Sequence, residues 1–113
     1  MVDEERAISE SKVEPALDFT HYFPNSRKRT FVELRLRILI TLTKGDRTIN
    51  DLAVRSGINW RTVDLHLTHL LGKRLVEEIF SSQYVRIFTI TPKGREFLQQ
   101  AQFRIQQQLE VPQ

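Results

Sequence analysis

Between positions 59 and 68 the chain sets out an amide, an indole, a guanidinium, two hydroxyls, a carboxylate and a branched alkyl group: Asn59, Trp60, Arg61, Thr62, Asp64, Leu65 and Thr68. At helical spacing, residues 60, 61, 64, 65 and 68 share one face, and Val63, Leu67, Leu70 and Leu71 share the opposite, apolar one. The outer set has the chemistry of nucleobase edges. An arginine fork fits O6 and N7 of guanine, a carboxylate accepts from N4 of cytosine, and an alkyl group meets the thymine methyl. Each residue also has a plainer use. Arg61 serves a phosphate equally well, because backbone contacts outnumber base contacts. Asp64 can pair with Arg61 or Thr68 on its own helix, and Thr68 can simply be solvated. Trp60 either lies on a sugar or packs against a neighbouring helix. Asn59 caps the helix in any case, and Asn59 and Thr62 sit where free N–H groups favour a phosphate.

His66 and His69 are three apart, a spacing that ligates zinc. The chain has no cysteine, and neither a third nearby histidine nor a well-placed carboxylate completes a set, so no metal and no other cofactor is expected. There is no nucleophile motif, no phosphate-cradling GxxxxGK loop and no paired carboxylates in a plausible cleft; the sequence reads as a non-enzyme with no catalytic residues.

These groups need elements to hold them. Ala53 stands four residues before Gly57, and Val63 six after it, which is the spacing of a helix-turn-helix. A small residue lets two helices cross closely, and glycine supplies the dihedral of the tight turn. The pattern predicts helices over about residues 51–56, capped by Asn50, and about 60–72, capped by Asn59 and ended by Gly72. Upstream, residues 30–43 form a helix stopped by Gly45. Phe31, Leu34, Ile38 and Leu42 make one stripe, and Leu36 and Ile40 point the other way. Only Glu33, Arg37 and Thr41 form a polar edge. A helix apolar on most of its circumference is buried from two sides. Downstream, residues 77–80 and 84–90 are rich in β-branched and aromatic types, with Ser81, Ser82 and Gln83 as the turn between them. Thr91-Pro92 opens a last helix. Its stripe is Phe97, Leu98, Ala101, Ile105 and Leu109, with Phe103 opposite.

The net charge of +3 is unevenly spread: residues 1–18 hold six acids and two bases, and the remainder holds fifteen bases and eight acids. The acidic segment reads as a mobile tail. Phe19, Tyr22 and Phe23 then fold back on the body or on a second subunit, and Arg27, Lys28 and Arg29 form a basic arm. A basic body suits a phosphate-rich partner. No apolar run suggests a signal peptide or a membrane span, and the cytoplasm is the default location.

Taken in order, the segments INDLAVRSGI (residues 49–58), NWRTVDLHLTHL (59–70), GKRLVEE (72–78) and ITPKGREFL (90–98) resemble winged helix-turn-helix regulators of the broad ArsR and MarR groups, and small archaeal regulators most of all. The resemblance covers about residues 30–100. It implies a mainly α fold with a small β-hairpin (α+β). It also implies binding residues on the outer face of the third helix, at Asn59, Trp60, Arg61, Asp64, Leu65 and Thr68, and a structural role for His66 at the rim of the core. The expected partition is a tail (1–18), an aromatic and basic arm (19–29), a winged helix-turn-helix (30–91) and a C-terminal helix (92–113). The expected function is double-stranded DNA binding by a transcriptional regulator, as a homodimer. Arg86 and the wing tip touch the backbone or the minor groove, and Arg27, Lys28 and Arg29 lie on a flanking track. Leu98, Ala101, Ile105 and Leu109 form the dimer interface, with the early part of the helix (Phe97, Leu98, Ala101) packing on the body and Ile105 and Leu109 reaching past the core toward a partner; a monomer using the same stripe internally is the alternative. The alternatives are a winged-helix protein-interaction module and an architectural DNA binder with little sequence preference.

Overall fold

The computed structural model describes Phe19, Tyr22, Phe23 and residues 30–110, without the side chains of 105–110. The acidic tail and Arg27, Lys28 and Arg29 lie outside the described residues. The element order is α1 (Phe31–Thr43), β1 (Arg47–Thr48), α2 (Ile49–Ser56), α3 (Trp60–Gly72), β2 (Val76–Ser81), β3 (Arg86–Ile90) and α4 (Pro92–Glu110). The three strands form an antiparallel sheet in the order β1-β3-β2.

Helix α1 starts at Thr30, whose Oγ1 accepts from the Glu33 N–H at 3.1 Å. Leu34, Leu36, Ile38, Leu39, Ile40 and Leu42 are all buried. The polar edge of Glu33, Arg37 and Thr41 is largely covered as well, because its charges are paired internally. The Arg37 guanidinium reaches Glu33 at 2.9 Å, donates to the Ser56 carbonyl at 3.3 Å and lies 4.6 Å from the Phe19 ring centroid. Thr41 returns its hydroxyl proton to the Arg37 carbonyl. Phe19, itself buried, therefore closes this edge through a cation–π contact. Phe31, expected to head the buried stripe, is instead exposed, since the first turn of α1 projects past the core.

Thr48 ends β1 and caps α2, accepting from the Asp51 N–H at 3.1 Å, so α2 begins two residues before the start expected from an Asn50 cap. Gly57 adopts φ 70°, and the N–H groups of Gly57 and Ile58 both donate to the Ala53 carbonyl. Those two bonds make the turn. They need a left-handed residue, which glycine supplies without steric cost. Asn59 then caps α3, its side chain accepting from the Arg61 N–H at 2.8 Å. Val63, His66, Leu67 and Leu70 face inward. After Gly72 the left-handed step falls on Arg74, at φ 63°.

The last helix is pinned to the end of α3. Thr91 Oγ1 accepts from the Gly94 N–H at 2.9 Å and donates to the Arg74 carbonyl at 2.8 Å, while the Thr91 N–H donates to the Leu75 carbonyl. A Cβ on Gly94 would overlap the Leu75 carbonyl oxygen and sit 2.8 Å from Ile90 Cγ1. Gly94→Ala should therefore cost about 2 kcal/mol or more of stability by urea unfolding. Gly72→Ala, where nothing lies within 4 Å, should be neutral or stabilising. Equal effects of the two would contradict this packing.

His66 belongs to the core, 1% exposed. Its Nδ1 accepts from Arg35 Nε at 3.1 Å, so Nε2 carries the proton, and the Phe31 ring packs edge-on at 5.2 Å. Burial, then the positive charge of Arg35 and the neighbouring His69, hold its pKa below the ordinary 6.5. Between that lowered value and 6.5 the unfolded chain binds more protons than the folded one, so stability rises with pH across this window and is lost as pH falls through it. His69 is shifted the same way, chiefly by burial. Urea titrations from about pH 7.5 down to 5.5 should show this decline, and His66→Gln should flatten most of it. A wild-type curve independent of pH would remove the argument.

Candidate nucleic-acid interface

The inward stripe of α3 fixes what faces out. Asn59, Trp60, Arg61, Leu65 and Thr68 are exposed, and Thr62 and Asp64 are half-buried, all on one side of a single helix. No element covers this face among the described residues. Trp60 is 52% exposed and Leu65 62%, large apolar areas for a helix otherwise packed so tightly. The Arg61 guanidinium rests 5.6 Å from the Trp60 ring centroid and has no ion-pair partner among the described residues. The indole thus restricts the arginine to one region without consuming its donors.

Asp64 does not pair with a charged group on its own helix. Thr68 Oγ1 bonds only the Asp64 backbone carbonyl, at 3.1 Å. The Asp64 carboxylate instead faces Arg86 Nη1 at 3.6 Å, across from the wing. Arg86 is held more firmly by Glu78 on the neighbouring strand, with Nε to Oε2 at 2.6 Å and Nη2 to Oε1 at 3.3 Å. The Phe88 ring supports its other face, 5.0 Å away. The hydrogen bond from Arg86 keeps the Glu78 carboxyl below the usual carboxylate range, and the same bond raises the arginine. Arg86, expected from the sequence to touch nucleic acid, also ties the wing to α3 and stays partly exposed.

The wing tip extends further than Ser81, Ser82 and Gln83. The Ser82 N–H donates to the Val85 carbonyl at 2.8 Å, and Ser82 Oγ accepts from the N–H groups of Tyr84 and Val85. Tyr84 therefore stands on the tip rather than in a strand, 86% exposed. A cleft of about 400 Å³ separates Tyr84, Val85 and Arg86 from Trp60 and from Thr48, Ile49 and Asn50 at the start of α2. Sequence reasoning missed Tyr84 because its aromatic ring continues the strand pattern. The serine at position 82, whose side chain closes the turn on itself, was the available signal.

On α4, Leu98 is 4% exposed and lies in the core of its own chain, so it is not available to a partner. Ala101 packs partly on the same core. The side chains of Ile105 and Leu109 lie outside the described residues. Phe97 and Phe103 are the exposed large apolar groups among the described side chains of this helix, at 43% and 62%, and neither was assigned to an interface from the sequence. No described helix is long and apolar enough to cross a membrane.

No protein-family model and no curated protein matches this chain. Solved structures do. A homodimeric winged helix-turn-helix DNA-binding domain from Mycobacterium bovis, a possible ArsR-family transcriptional regulator, is 26% identical with a TM-score of 0.57, over 68% of this chain and 71% of that one. The transcriptional regulator BldR from Sulfolobus solfataricus is 22% identical with a TM-score of 0.59, over 96% of this chain and 75% of its own. A MarR family regulator from Neisseria meningitidis is 23% identical with a TM-score of 0.56, over 66% of this chain; the match spans only 54% of that regulator. The helices and the three-stranded antiparallel sheet match these neighbours, and this chain has the winged helix-turn-helix fold of the ArsR and MarR regulators.

Proposed function

We propose that the protein is a transcriptional regulator that binds double-stranded DNA as a homodimer, each α3 entering a major groove. The observation that carries this reading is the open face of α3. Asn59, Trp60, Arg61, Leu65 and Thr68 stand outward on a helix whose other side is locked into the core. Buried packing fixes the direction of the helix, and the outer groups supply donors, acceptors and an alkyl contact at base edges. In this reading Arg61 is the principal base contact, and Asn59 and Thr62 hold the helix start near a phosphate. Arg27, Lys28 and Arg29 supply a flanking arm from the segment before α1. The neighbours named as DNA-binding domains or transcriptional regulators support the reading, and the M. bovis domain is named as homodimeric.

Titration against genomic fragments and against random duplex, at two salt concentrations, tests it. A few strongly preferred fragments are expected. Uniform, steeply salt-dependent binding would instead indicate an architectural binder, and silence at low salt a protein-interaction module. On a preferred fragment Arg61→Ala should cost about 1–3 kcal/mol, and clearly less on random duplex. Equal losses on both would make Arg61 a phosphate contact.

The dimer interface in this proposal is the outer surface of α4. Its exposed Phe103 and Phe97 are the groups a second copy would cover, and the helix continues to Glu110 beyond them. Sedimentation at micromolar concentration should show twice the 13.3 kDa chain mass, and Phe103→Glu should shift it toward the single chain. A wild-type species at 13.3 kDa would refute the dimer.

A further inference from the structure

Three members of the buried stripe of α3, Val63, Leu67 and Leu70, are apolar, and the fourth, His66, is ionisable. Its Nδ1 accepts from Arg35 Nε on α1, so a side-chain hydrogen bond joins the two helices at the level of the exposed Leu65 and Thr68. Nε2, across the ring, is buried and has no hydrogen-bond partner among the described residues. The Phe31 ring packs against the imidazole, and the Arg35 guanidinium lies 5.7 Å from the centroid of that ring. The charges that face His66 are Arg35 from α1 and His69 from its own helix, with Lys73 acting on His69 in turn. The neighbouring elements α2, β2 and α4 bring no charge that acts on it, so no carboxylate balances a proton there.

A proton on Nδ1 turns this acceptor into a donor and sets it against the N–H of Arg35, one cation against another. The bond is then lost, and the imidazolium is left among apolar side chains and like charge. A cavity of about 260 Å³ opens next to Arg35, between α1, the end of α3 and the start of α4. Arg35, His69 and Lys73 border it with Val32, Leu70 and Phe97. The guanidinium can turn into this space without unfolding the core. We infer that Arg35 and His66 form a proton-operated latch on α3. With the imidazole neutral, α3 is seated on α1 and its outer face fits DNA; with the imidazole protonated, Arg35 swings into the cavity, α3 shifts and duplex affinity falls. This rests on the duplex-binding reading above and adds acid as a regulator of it. Burial and Arg35 both oppose the proton, so the latch opens only below the ordinary histidine range.

The sign of the effect identifies it. The chain has three histidines, His21, His66 and His69. A histidine that merely gains charge beside DNA strengthens binding in acid. The probe is the preferred genomic fragment of the titration above, labelled for anisotropy, beside a random duplex of equal length, at constant salt from about pH 7.5 to about pH 5. Affinity for the preferred fragment should fall in acid, by up to about tenfold per pH unit once His66 takes its proton, and affinity for random duplex should hold or rise. His66→Asn places an amide oxygen where Nδ1 stood and does not titrate, so it should bind at neutral pH and lose the acid decline. Arg35→Met removes the cation that opposes the proton and should move the decline to higher pH. Linkage is reciprocal: the preferred fragment should push the titration midpoint of one histidine Cε1–H resonance to lower pH, whereas a histidine against a phosphate would move up.

Binding to the preferred fragment that is level or stronger in acid overturns the inference. So does an unchanged decline in His66→Asn, a decline in Arg35→Met at the wild-type pH, or no histidine midpoint that falls on DNA. Far-ultraviolet dichroism lost in step with affinity also overturns it, because that is unfolding and not the shift of one helix. Should His66→Asn fail to fold, Arg35→Met and the wild-type resonances decide. The absence of any preferred fragment at neutral pH defeats the duplex-binding reading and the latch with it, a failure recognisable because it precedes any change of pH.

Discussion

Everything in this molecule is arranged by the need to bury α1. Ile38 and Leu39 are wholly inaccessible, and Leu36, Ile40 and Leu42 nearly so, although they point in different directions around the helix. One neighbouring element cannot cover such a surface. The packing of α2, α3, α4 and β3 against α1 follows, and Phe19 closes the edge that these elements leave. Once α3 commits Val63, His66, Leu67 and Leu70 to this core, its remaining residues have only solvent or a ligand to meet. The exposure of Trp60 and Leu65 is thus a consequence of what lies on the other side of the helix. The Arg37 cluster shows the cost of the arrangement: a cation enters the core only with Glu33, the Ser56 carbonyl and Phe19 around it.

The position of the wing is settled by different forces. Its base is fixed by Thr91 and Gly94, which bring the start of α4 against the backbone after α3. Its free end is tied by Arg86 to Glu78 and Asp64, in contacts partly open to water. Surface ion pairs of this kind contribute little to stability. What they do here is directional: Arg86 links a strand of the wing to the outer side of α3.

The helices and the glycine turn were legible in the sequence because each rests on local chemistry. Asn59 before an amphipathic run, Gly57 after one, and Thr91-Pro92 at a third start all act within a few residues. The failures have the opposite character. Strand β1 is two residues long and exists through its pairing with Phe88 and Ile87, which no period in the sequence reveals. The covering of Arg37 by the Phe19 ring comes from a residue outside the helix, which no period within α1 reveals. The partner of Asp64 comes from the hairpin and not from its own helix. Leu98 was expected both in the interface stripe and among the residues packing on the body, and the fold buries it in the core of its own chain. The outer residues of α3 were identifiable as a group because helical geometry alone separates them from the inward stripe; their individual bonding was not.

The sparse charge of the outer α3 face bears on how such a protein selects a site. Attraction to any duplex grows with each cation that neutralises a phosphate, irrespective of sequence. The outer face of α3 offers one base, Arg61, beside one acid, Asp64, and the wing offers none that is uncommitted. Under the proposed function, the unspecific part of the affinity must come from elsewhere on the basic body, and the face itself contributes mainly through the fit of its groups to base edges. Such a face gains little from a wrong site, and the ratio between right and wrong sites, rather than absolute affinity, governs occupancy among many competitors. It also makes a single copy a weak binder. Two copies on one rigid frame convert the second encounter into an intramolecular step, which raises affinity without adding charge to either face. Under the proposed function, a nearly neutral outer face on α3 and a pairing surface on α4 are therefore two parts of one solution, and each would be of limited use without the other.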